Sequence, residues 1–317
     1  MNLSQLLIIG IPADGDLETV RALQPGGVVL MGRNADTPTQ TRRLVRQINE
    51  ILEIPALVCT DHEGGRVQRL RDGFTHFPGA RELGKRGAQA VEIAAMDAAA
   101  ELRGAGVNFN FAPVCDVPVH PDDTVIGDRA FSDNAIRAGV LAAQYVRGAQ
   151  PSVLCAAKHF PGHGGVGVDS HLGLPLFSGS REELEPHLGP FRAAIGAGVC
   201  AVMVGHIAVP ALDASGAPAT FSAPIVGGLL REEMGFRGLV VTDDMEMLAL
   251  DQEQSGENAV RALQAGCDVL LFCHSGEKAF AARNAIQNAL ENGGLSHERV
   301  QDALSRVEWA KRKIAII

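Results

Sequence analysis

The chain has 317 residues, of which 46% are hydrophobic and 21% are charged, and its formal net charge at pH 7 is −9. That length and hydrophobic content suffice for a large buried core and fit one α/β barrel. The negative charge argues against nucleic acid and against an anionic membrane surface as partners, but it says little about a small neutral ligand.

The first ten residues carry no basic leader, and their apolar run is too short for a signal peptide. No window of the sequence approaches the roughly eighteen apolar residues that a membrane helix needs. The six cysteines, at positions 59, 115, 155, 200, 267 and 273, form no Cys-x-x-Cys pair and fall in or beside apolar runs. These features predict a cytoplasmic protein with buried, reduced thiols.

Short apolar runs recur along the whole chain and predict strands that are buried on both faces. There are eight of them, at residues 6–11, 27–31, 56–60, 107–112, 153–157, 199–204, 239–242 and 268–273. Helical periodicity between them predicts helices at residues 39–52, 91–103, 135–147, 182–197, 223–234, 258–264, 277–292 and 297–314. Glycine-containing junctions such as Gly104-Ala105-Gly106 are typical of a helix that ends just before a strand begins.

This alternation predicts the α/β class and a single-domain (β/α)8 barrel of the TIM type over residues 1–317. A doubly wound sheet is the alternative. Two observations favour the barrel: polar clusters follow several different strands, and no Gly-x-Gly-x-x-Gly motif follows the first strand.

In such a barrel the C-terminal ends of the strands line one mouth. The polar residues at or near those ends are Asp61, Asp116, Arg129, Lys158, His159, His206, Asp243 and Asp244. Because they follow successive strands, they can converge on one ligand. A structural aspartate is the favoured interpretation of Asp116, and a hydrogen-bonded core histidine is that of His206.

The stretch at residues 60–69 combines carboxylates, arginines and a double glycine turn directly after the third predicted strand. A carboxylate there can accept hydrogen bonds from two adjacent sugar hydroxyls. The alternative is a solvated loop with internal ion pairs, and the spacing alone does not choose between the two.

The stretch at residues 158–171 contains a lysine, three histidines, an aspartate and four glycines. Its Asp169-x-His171 pair places a carboxylate where it can orient an imidazole, an arrangement used in general acid–base catalysis. An inert surface loop is one alternative. A metal site built from His159, His163, Asp169 and His171 is another, although no His-x-x-x-His pattern on a helix supports it.

A pair of aspartates, Asp243 and Asp244, closes the seventh predicted strand. Successive strand residues face opposite ways, so only one of the two readily points into the mouth. That carboxylate can act as a nucleophile on an anomeric carbon. Either aspartate can instead cap the following helix.

Four motifs stand out in chain order: Thr60-Asp61-x-Glu63-Gly64-Gly65-Arg66-Val67-Gln68-Arg69, Asn110-Phe111-Ala112-Pro113-Val114-x-Asp116-Val117, Lys158-His159-Phe160-Pro161-Gly162-His163-Gly164 with Asp169-Ser170-His171, and Thr242-Asp243-Asp244-Met245. Taken together, these motifs resemble those of glycoside hydrolase family 3 β-N-acetylhexosaminidases, in particular the bacterial NagZ branch, whose members are cytoplasmic enzymes of peptidoglycan recycling. One small departure is His62, at a position where this branch often has Gln.

The resemblance implies a (β/α)8 barrel and a retaining double displacement on terminal GlcNAc. In it, Asp243 is the nucleophile and His171 the acid/base, paired with Asp169. The sugar-binding positions are Asp61, Arg69, Arg129, Lys158 and His159. The expected partner is a GlcNAc-containing muropeptide or oligosaccharide, with no cofactor, no metal and a monomeric enzyme. Three alternatives are a family 3 phosphorylase or broader β-glycosidase, a metal-dependent hydrolase, and a non-catalytic sugar-binding protein.

Overall fold

The protein was analysed as a computed structural model, which describes residues 1–34, 37–119, 124–166 and 173–316. Eight parallel strands close into a barrel, because the first strand pairs with both the second and the eighth. In chain order these strands are Leu7–Gly10, Gly27–Leu30, Leu57–Thr60, Phe109–Asn110, Leu154–Phe160, Ala201–Val204, Leu239–Asp244 and Val269–Phe272. The predicted (β/α)8 barrel is confirmed, and the doubly wound alternative is wrong. That residues 1–317 form one domain stays a prediction.

Two strands have different bounds from the apolar runs that predicted them. The fourth strand shortens to Phe109–Asn110, while the fifth extends to Phe160. Just before the fourth strand, the side chain of Asn108 accepts the Val58 N–H and donates to the Ala56 carbonyl. The longer fifth strand carries its polar residues on the strand itself, so the sheet fixes their position.

The helices surround the barrel at Glu18–Leu23, Pro38–Ile51, Ala80–Arg86, Ala88–Gly104, Ala135–Ala149, Arg181–Gly196, Ser255–Ala265, Gly276–Glu291 and His297–Ile316, with a π-helix at Pro224–Glu233. Each predicted helix is present, with ends shifted by three residues or fewer. The segment predicted as an α-helix at residues 223–234 is the π-helix, and the helices at Glu18–Leu23 and Ala80–Arg86 were not predicted. Capping boxes begin two helices, at Thr37 with Gln40 and at Ser180 with Glu183.

The last helix, His297–Ile316, crosses the base of the barrel. Its Val307 and Ala310 belong to the same buried cluster as side chains inside the barrel such as Phe109 and Leu239. The Nζ of Lys311 donates to Oε1 of Gln5 at 2.7 Å, which ties this helix to the start of the chain. The base is therefore closed by side chains, and the opposite end is left for a ligand.

All six cysteines are buried and free, as the sequence predicted. Within the described ranges, no helix combines the length and the apolar character needed to cross a bilayer.

Candidate active site

A cavity of about 610 Å³ lies at the C-terminal ends of the barrel strands. Six of the eight residues that the sequence predicted for the site line it: Asp61, Arg69, Arg129, Lys158, His159 and Asp243. The other two, Asp169 and His171, lie outside the described residues. Apolar side chains, among them Met31, Phe111, Met203 and Leu271, share the wall with these polar groups.

Lys158 lies at the centre of a buried ionic cluster. Its Nζ donates to Oδ1 of Asp61 at 2.7 Å and lies 2.6 Å from Oε1 of Glu63. Burial by itself would lower the pKa of this lysine, but the two carboxylates outweigh it and raise the pKa. Lys158 is therefore a fixed cation. An ammonium has three donors, and within the described part of the chain these two contacts leave one of them for a ligand.

Glu63 joins Lys158 to Arg129. The guanidinium of Arg129 is bidentate on it, with Nε 2.9 Å from Oε2 and Nη2 2.8 Å from Oε1. Burial opposes ionisation of Glu63, but Lys158 and Arg129 together hold its pKa well below the usual value of 4.5. Sequence reasoning gave Glu63 no role. The signal was its spacing, because Asp61 and Glu63 are two residues apart in extended chain and share a side.

A short hairpin, His62–Gly64 with Val67–Gln68, carries this part of the site. The hairpin brings Arg69 back beside Asp61, with Nε 3.8 Å from Oδ2, and the Arg69 side chain stays 43% exposed. Behind it, His62 is buried between Phe74 and Phe77. Neither of its ring nitrogens has a hydrogen-bond partner within the described part of the chain.

His159 is held by Asp116, which follows the fourth strand. The Nδ1 of His159 lies 2.7 Å from Oδ2 of Asp116. The same carboxylate accepts from the backbone N–H of His159 at 3.2 Å and from that of His163 at 2.6 Å. Burial raises the pKa of Asp116 to about 6 and lowers that of His159 well below 6.5. The prediction of a structural aspartate at this position describes its hydrogen bonds correctly, but it missed the direct bond to a cavity side chain.

The two aspartates at the end of the seventh strand have different surroundings. Asp243 lines the cavity, and its Oδ1 accepts the Asp244 N–H at 2.8 Å. Burial alone would raise the pKa of Asp243, but His159, His206, that N–H and Lys158 lower it, so the carboxylate is ionised. Asp244 also lines the cavity, but its carboxylate accepts the N–H groups of Glu246 and Cys273, and burial raises its pKa to about 6. Asp244 therefore braces the loops, and Asp243 is the better candidate nucleophile.

His206 is the core histidine that the sequence predicted. It is fully buried, with Nδ1 2.7 Å from Oγ1 of Thr220 and Nε2 2.9 Å from the carbonyl oxygen of Asp244. Both ring nitrogens are thus used within the protein. Its contact with the Asp244 carbonyl supports the end of the strand that carries Asp243.

Metal ligation was one alternative for the histidines of the fifth loop. Among the residues that the structure describes, no group of three His, Cys, Asp or Glu side chains is arranged to hold a metal ion. His159 uses Nδ1 for Asp116, and Asp169 and His171 lie outside the described residues.

Comparison with known proteins places this geometry in a family. The model of the glycosyl hydrolase family 3 N-terminal domain matches residues 2–309. The chain belongs to glycoside hydrolase family 3. It is therefore a glycoside hydrolase built on a (β/α)8 barrel.

Curated relatives share most of the chain. A β-hexosaminidase from Thioalkalivibrio sulfidiphilus is 39% identical over 284 residues, which are 86% of this chain and 81% of that protein. Another β-hexosaminidase, from Tolumonas auensis, is 40% identical over 278 residues, covering 86% of this chain and 82% of that protein.

Solved structures agree with the fold. A glycoside hydrolase family 3 β-N-acetylglucosaminidase from Paenibacillus superposes with a TM-score of 0.96 at 38% identity over 99% of this chain. The chain spans 62% of that longer protein. A β-N-acetylhexosaminidase from Beutenbergia cavernae matches with a TM-score of 0.91 at 30% identity, covering 98% of this chain and 97% of that one.

Proposed function

We propose that this protein is a retaining, exo-acting β-N-acetylglucosaminidase that removes terminal GlcNAc with Asp243 as its nucleophile. The observation that carries the proposal is the position of Asp243, an ionised carboxylate on the cavity wall beside the buried Lys158 cation and His159. The β-hexosaminidase names of the relatives support the choice of sugar.

The cavity suits a neutral, hydroxyl-rich ligand. A sugar hydroxyl both donates and accepts, and this pocket offers carboxylate acceptors, cationic donors and a neutral imidazole within one space. Asp61 and Lys158 supply one acceptor and one donor only 2.7 Å apart, which suits neighbouring hydroxyls on one ring. Met203 and Phe111 give apolar wall for the C–H face of the sugar.

The first step forms one bond and breaks another. An oxygen of Asp243 attacks the anomeric carbon, the bond from that carbon to the leaving oxygen breaks, and the leaving oxygen takes a proton from the acid. Positive charge builds on the sugar ring in the transition state, and the ionised Asp243 stabilises it before the covalent bond is complete.

His171 is the proposed acid/base, with Asp169 as its partner. The imidazolium of His171 protonates the leaving oxygen, and the neutral imidazole then takes a proton from the water that attacks the anomeric carbon and releases Asp243. An imidazole has an unperturbed pKa near 6.5, so it can exchange a proton in both directions near neutrality. Asp169 would stabilise the cationic form, as the aspartate of a serine-protease triad does.

Trapping the intermediate tests this assignment. We expect a fluorinated GlcNAc glycoside with a good leaving group to inactivate the enzyme, and peptide mass spectrometry to place the label on Asp243. A label on any other residue would refute the nucleophile. Proton NMR of early product should give the β-anomer, and turnover unchanged by inorganic phosphate would exclude the phosphorylase alternative.

The natural substrate in this proposal is a peptidoglycan-derived muropeptide, processed in the cytoplasm. Its support is the resemblance of the motifs to the NagZ branch. The measurement is a comparison of kcat/KM on purified muropeptides, on chitin oligomers and on aryl GlcNAc and aryl glucose glycosides. Faster turnover of chitin oligomers than of muropeptides would contradict it.

A further inference from the structure

Asp116 is a buried carboxylate whose oxygens all face donors of the fifth strand and its loop. It is 1% exposed. Oδ1 accepts the N–H of His163 at 2.6 Å, and Oδ2 lies 2.7 Å from Nδ1 of His159. The backbone N–H of His159 also points at both oxygens, at 3.3 and 3.2 Å.

The backbone fixes this contact independently of the side chains. The segment before Asp116 runs parallel to the fifth strand, with Val114 bridged to Lys158. The N–H of Cys115 donates to the Lys158 carbonyl at 2.7 Å, and the N–H of Lys158 donates to the Pro113 carbonyl at 3.0 Å. Asp116 is thus held opposite His159 by the sheet register, and its distance from the ring has little freedom.

An ionised carboxylate can only accept hydrogen bonds, so Nδ1 of His159 must carry the proton. Burial lowers the pKa of this ring, and the nearby cations Arg129 and Lys158 lower it further against the opposing charge of Asp243, so a second proton is disfavoured. Nε2 therefore carries a lone pair. The Nη2 of Arg129 lies 3.5 Å from it, a long contact that is consistent with a donor facing an acceptor.

We propose that Asp116 is a positioning residue that makes His159 a hydrogen-bond acceptor towards the substrate, so that the pocket selects a sugar hydroxyl that donates to Nε2. The proposal rests on the proposed glycosidase function and deepens it. Asp61 and Asp243 also accept hydrogen bonds, but they are charged. His159 supplies a neutral acceptor whose direction is set by a residue that does not touch the sugar.

The tautomer can be measured without any substrate. In ¹⁵N-labelled wild-type protein at pH 7, long-range ¹H–¹⁵N spectra should give His159 a protonated Nδ1 and an unprotonated Nε2, with assignment from a His159→Gln spectrum. A protonated Nε2 in wild type would overturn the proposal, whatever the enzyme hydrolyses.

The variant Asp116→Asn tests the function of that tautomer. The amide oxygen is best placed on the short bond to the His163 N–H, which leaves the NH₂ group facing Nδ1. A donor there forces the ring proton onto Nε2, as the corresponding substitution does in serine proteases. We expect kcat/KM on an aryl GlcNAc glycoside to fall about 10- to 100-fold. The reason is that Nε2–H and the sugar O–H are then two donors facing each other, and the O–H must rotate away before its oxygen can accept.

A series of substrates separates positioning from general damage. Aryl GlcNAc glycosides with fluorine in place of one ring hydroxyl at a time keep an acceptor and lose the donor. In wild type, fluorine at the position that donates to His159 should lower kcat/KM. In Asp116→Asn we expect this fold-loss to be at least about tenfold smaller, because the fluorine can accept from the new Nε2–H. Inductive effects of fluorine cancel in the ratio between the two proteins.

The outcomes are distinct. If Asp116→Asn lowers kcat/KM equally for every substrate in the series, Asp116 has only a structural role and the proposal is wrong. If the variant does not fold, as judged by circular dichroism, the wild-type tautomer alone decides. If wild type does not hydrolyse GlcNAc glycosides, the proposed function fails, and the NMR result still stands or falls by itself.

Discussion

Two buried ionic clusters lie at opposite ends of the barrel. The mouth cluster consists of Asp61, Glu63, Arg129 and Lys158, and it lies at the cavity. The base cluster consists of Asp268, Arg231, Arg299 and Arg306, and it lies where the eighth strand begins. Both contain fully buried or nearly buried charges in close contact, so burial and pairing alone do not distinguish them.

What distinguishes them is where the remaining hydrogen bonds go. In the base cluster, Arg231 also donates to the carbonyls of Phe236 and Gly238, and Arg299 donates to those of Leu263 and Cys267. Asp268 accepts the backbone N–H of Val240. The hydrogen bonds of this cluster therefore join segments of the chain to one another.

The mouth cluster is held mainly by its own side chains. Asp61, Lys158 and Arg129 each line the cavity, and among the residues that the structure describes Lys158 keeps a donor beyond its two carboxylate contacts. The comparison indicates that a functional ionic cluster differs from a structural one because some of its polar atoms face an open cavity and can bind a ligand. The predictions below test this difference between the two ends.

The largest effect is expected from Asp243→Asn at the mouth. Loss of the nucleophile should lower kcat on an aryl GlcNAc glycoside by about 10⁴-fold or more. The substrate-binding side chains are untouched, so the melting temperature should stay within a few degrees of wild type. Activity of the variant close to that of wild type would remove Asp243 from the mechanism.

Asp268→Asn at the base should do the opposite. Removing the negative charge leaves Arg231 without a carboxylate partner among the described residues and leaves Arg299 and Arg306 with Asp302 alone. Breaking a buried ionic contact costs about 3–5 kcal/mol. We expect that loss in the free energy of unfolding by urea denaturation, with kcat/KM at low temperature within about twofold of wild type. A large kinetic defect in the folded variant would contradict the structural role of this cluster.

Glu63→Gln is the matched change at the mouth. The amide can bond only one of the two cations well, so Lys158 and Arg129 lose their common anchor, and kcat/KM should fall about 100-fold. A loss of stability without a kinetic effect would make this cluster equivalent to the one at the base.

The same variant has a signature in pH. The pKa of Glu63 is depressed in the folded protein, so its ionised form stabilises the fold above the unfolded pKa of about 4.3, and this contribution is lost as the pH falls below that value. The difference in unfolding free energy between wild type and Glu63→Gln should therefore be constant near neutrality and shrink below pH ~4.3. A difference that grows in acid would contradict the assignment.

His62→Gln is expected to have the smallest effect. Burial lowers the pKa of His62 to about 4, opposed weakly by Glu101. The folded state therefore resists protonation, and stability present above the unfolded pKa of about 6.5 is lost as the pH falls towards 4. Between pH 7 and 5 wild type should lose about 2 kcal/mol more than the glutamine variant. Equal pH slopes in urea titrations would show that His62 is not a buried neutral ring.

Much of this fold follows from periodicity, because strands buried on both faces leave continuous apolar runs. The fifth strand shows the limit. Its apolar signal stops at residue 157, while the strand continues through Lys158 and His159 to Phe160. Those side chains are tolerated in a buried strand only because Asp61, Glu63 and Asp116 meet them there.

The site was predictable where a residue follows a strand and not where its partner is distant. Asp61, Lys158 and Asp243 follow from the rule that strand ends face one mouth. Glu63 and Asp116 act through bonds to residues far along the chain. The spacing from Asp61 places Glu63 on the same side of an extended chain, but no local pattern reveals the distant partners of either residue. The choice between Asp243 and Asp244 also needed coordinates, because it depends on which backbone N–H groups surround each carboxylate.

The helix that crosses the base of the barrel also has a consequence for synthesis in the cell. It is His297–Ile316, so a ribosome makes it after all eight strands. Until this helix docks, the apolar side chains at the base of the barrel, which Val307 and Ala310 later cover, are exposed to solvent. Exposed apolar surface of that kind promotes aggregation, so docking of this helix removes an aggregation-prone surface from the folding chain.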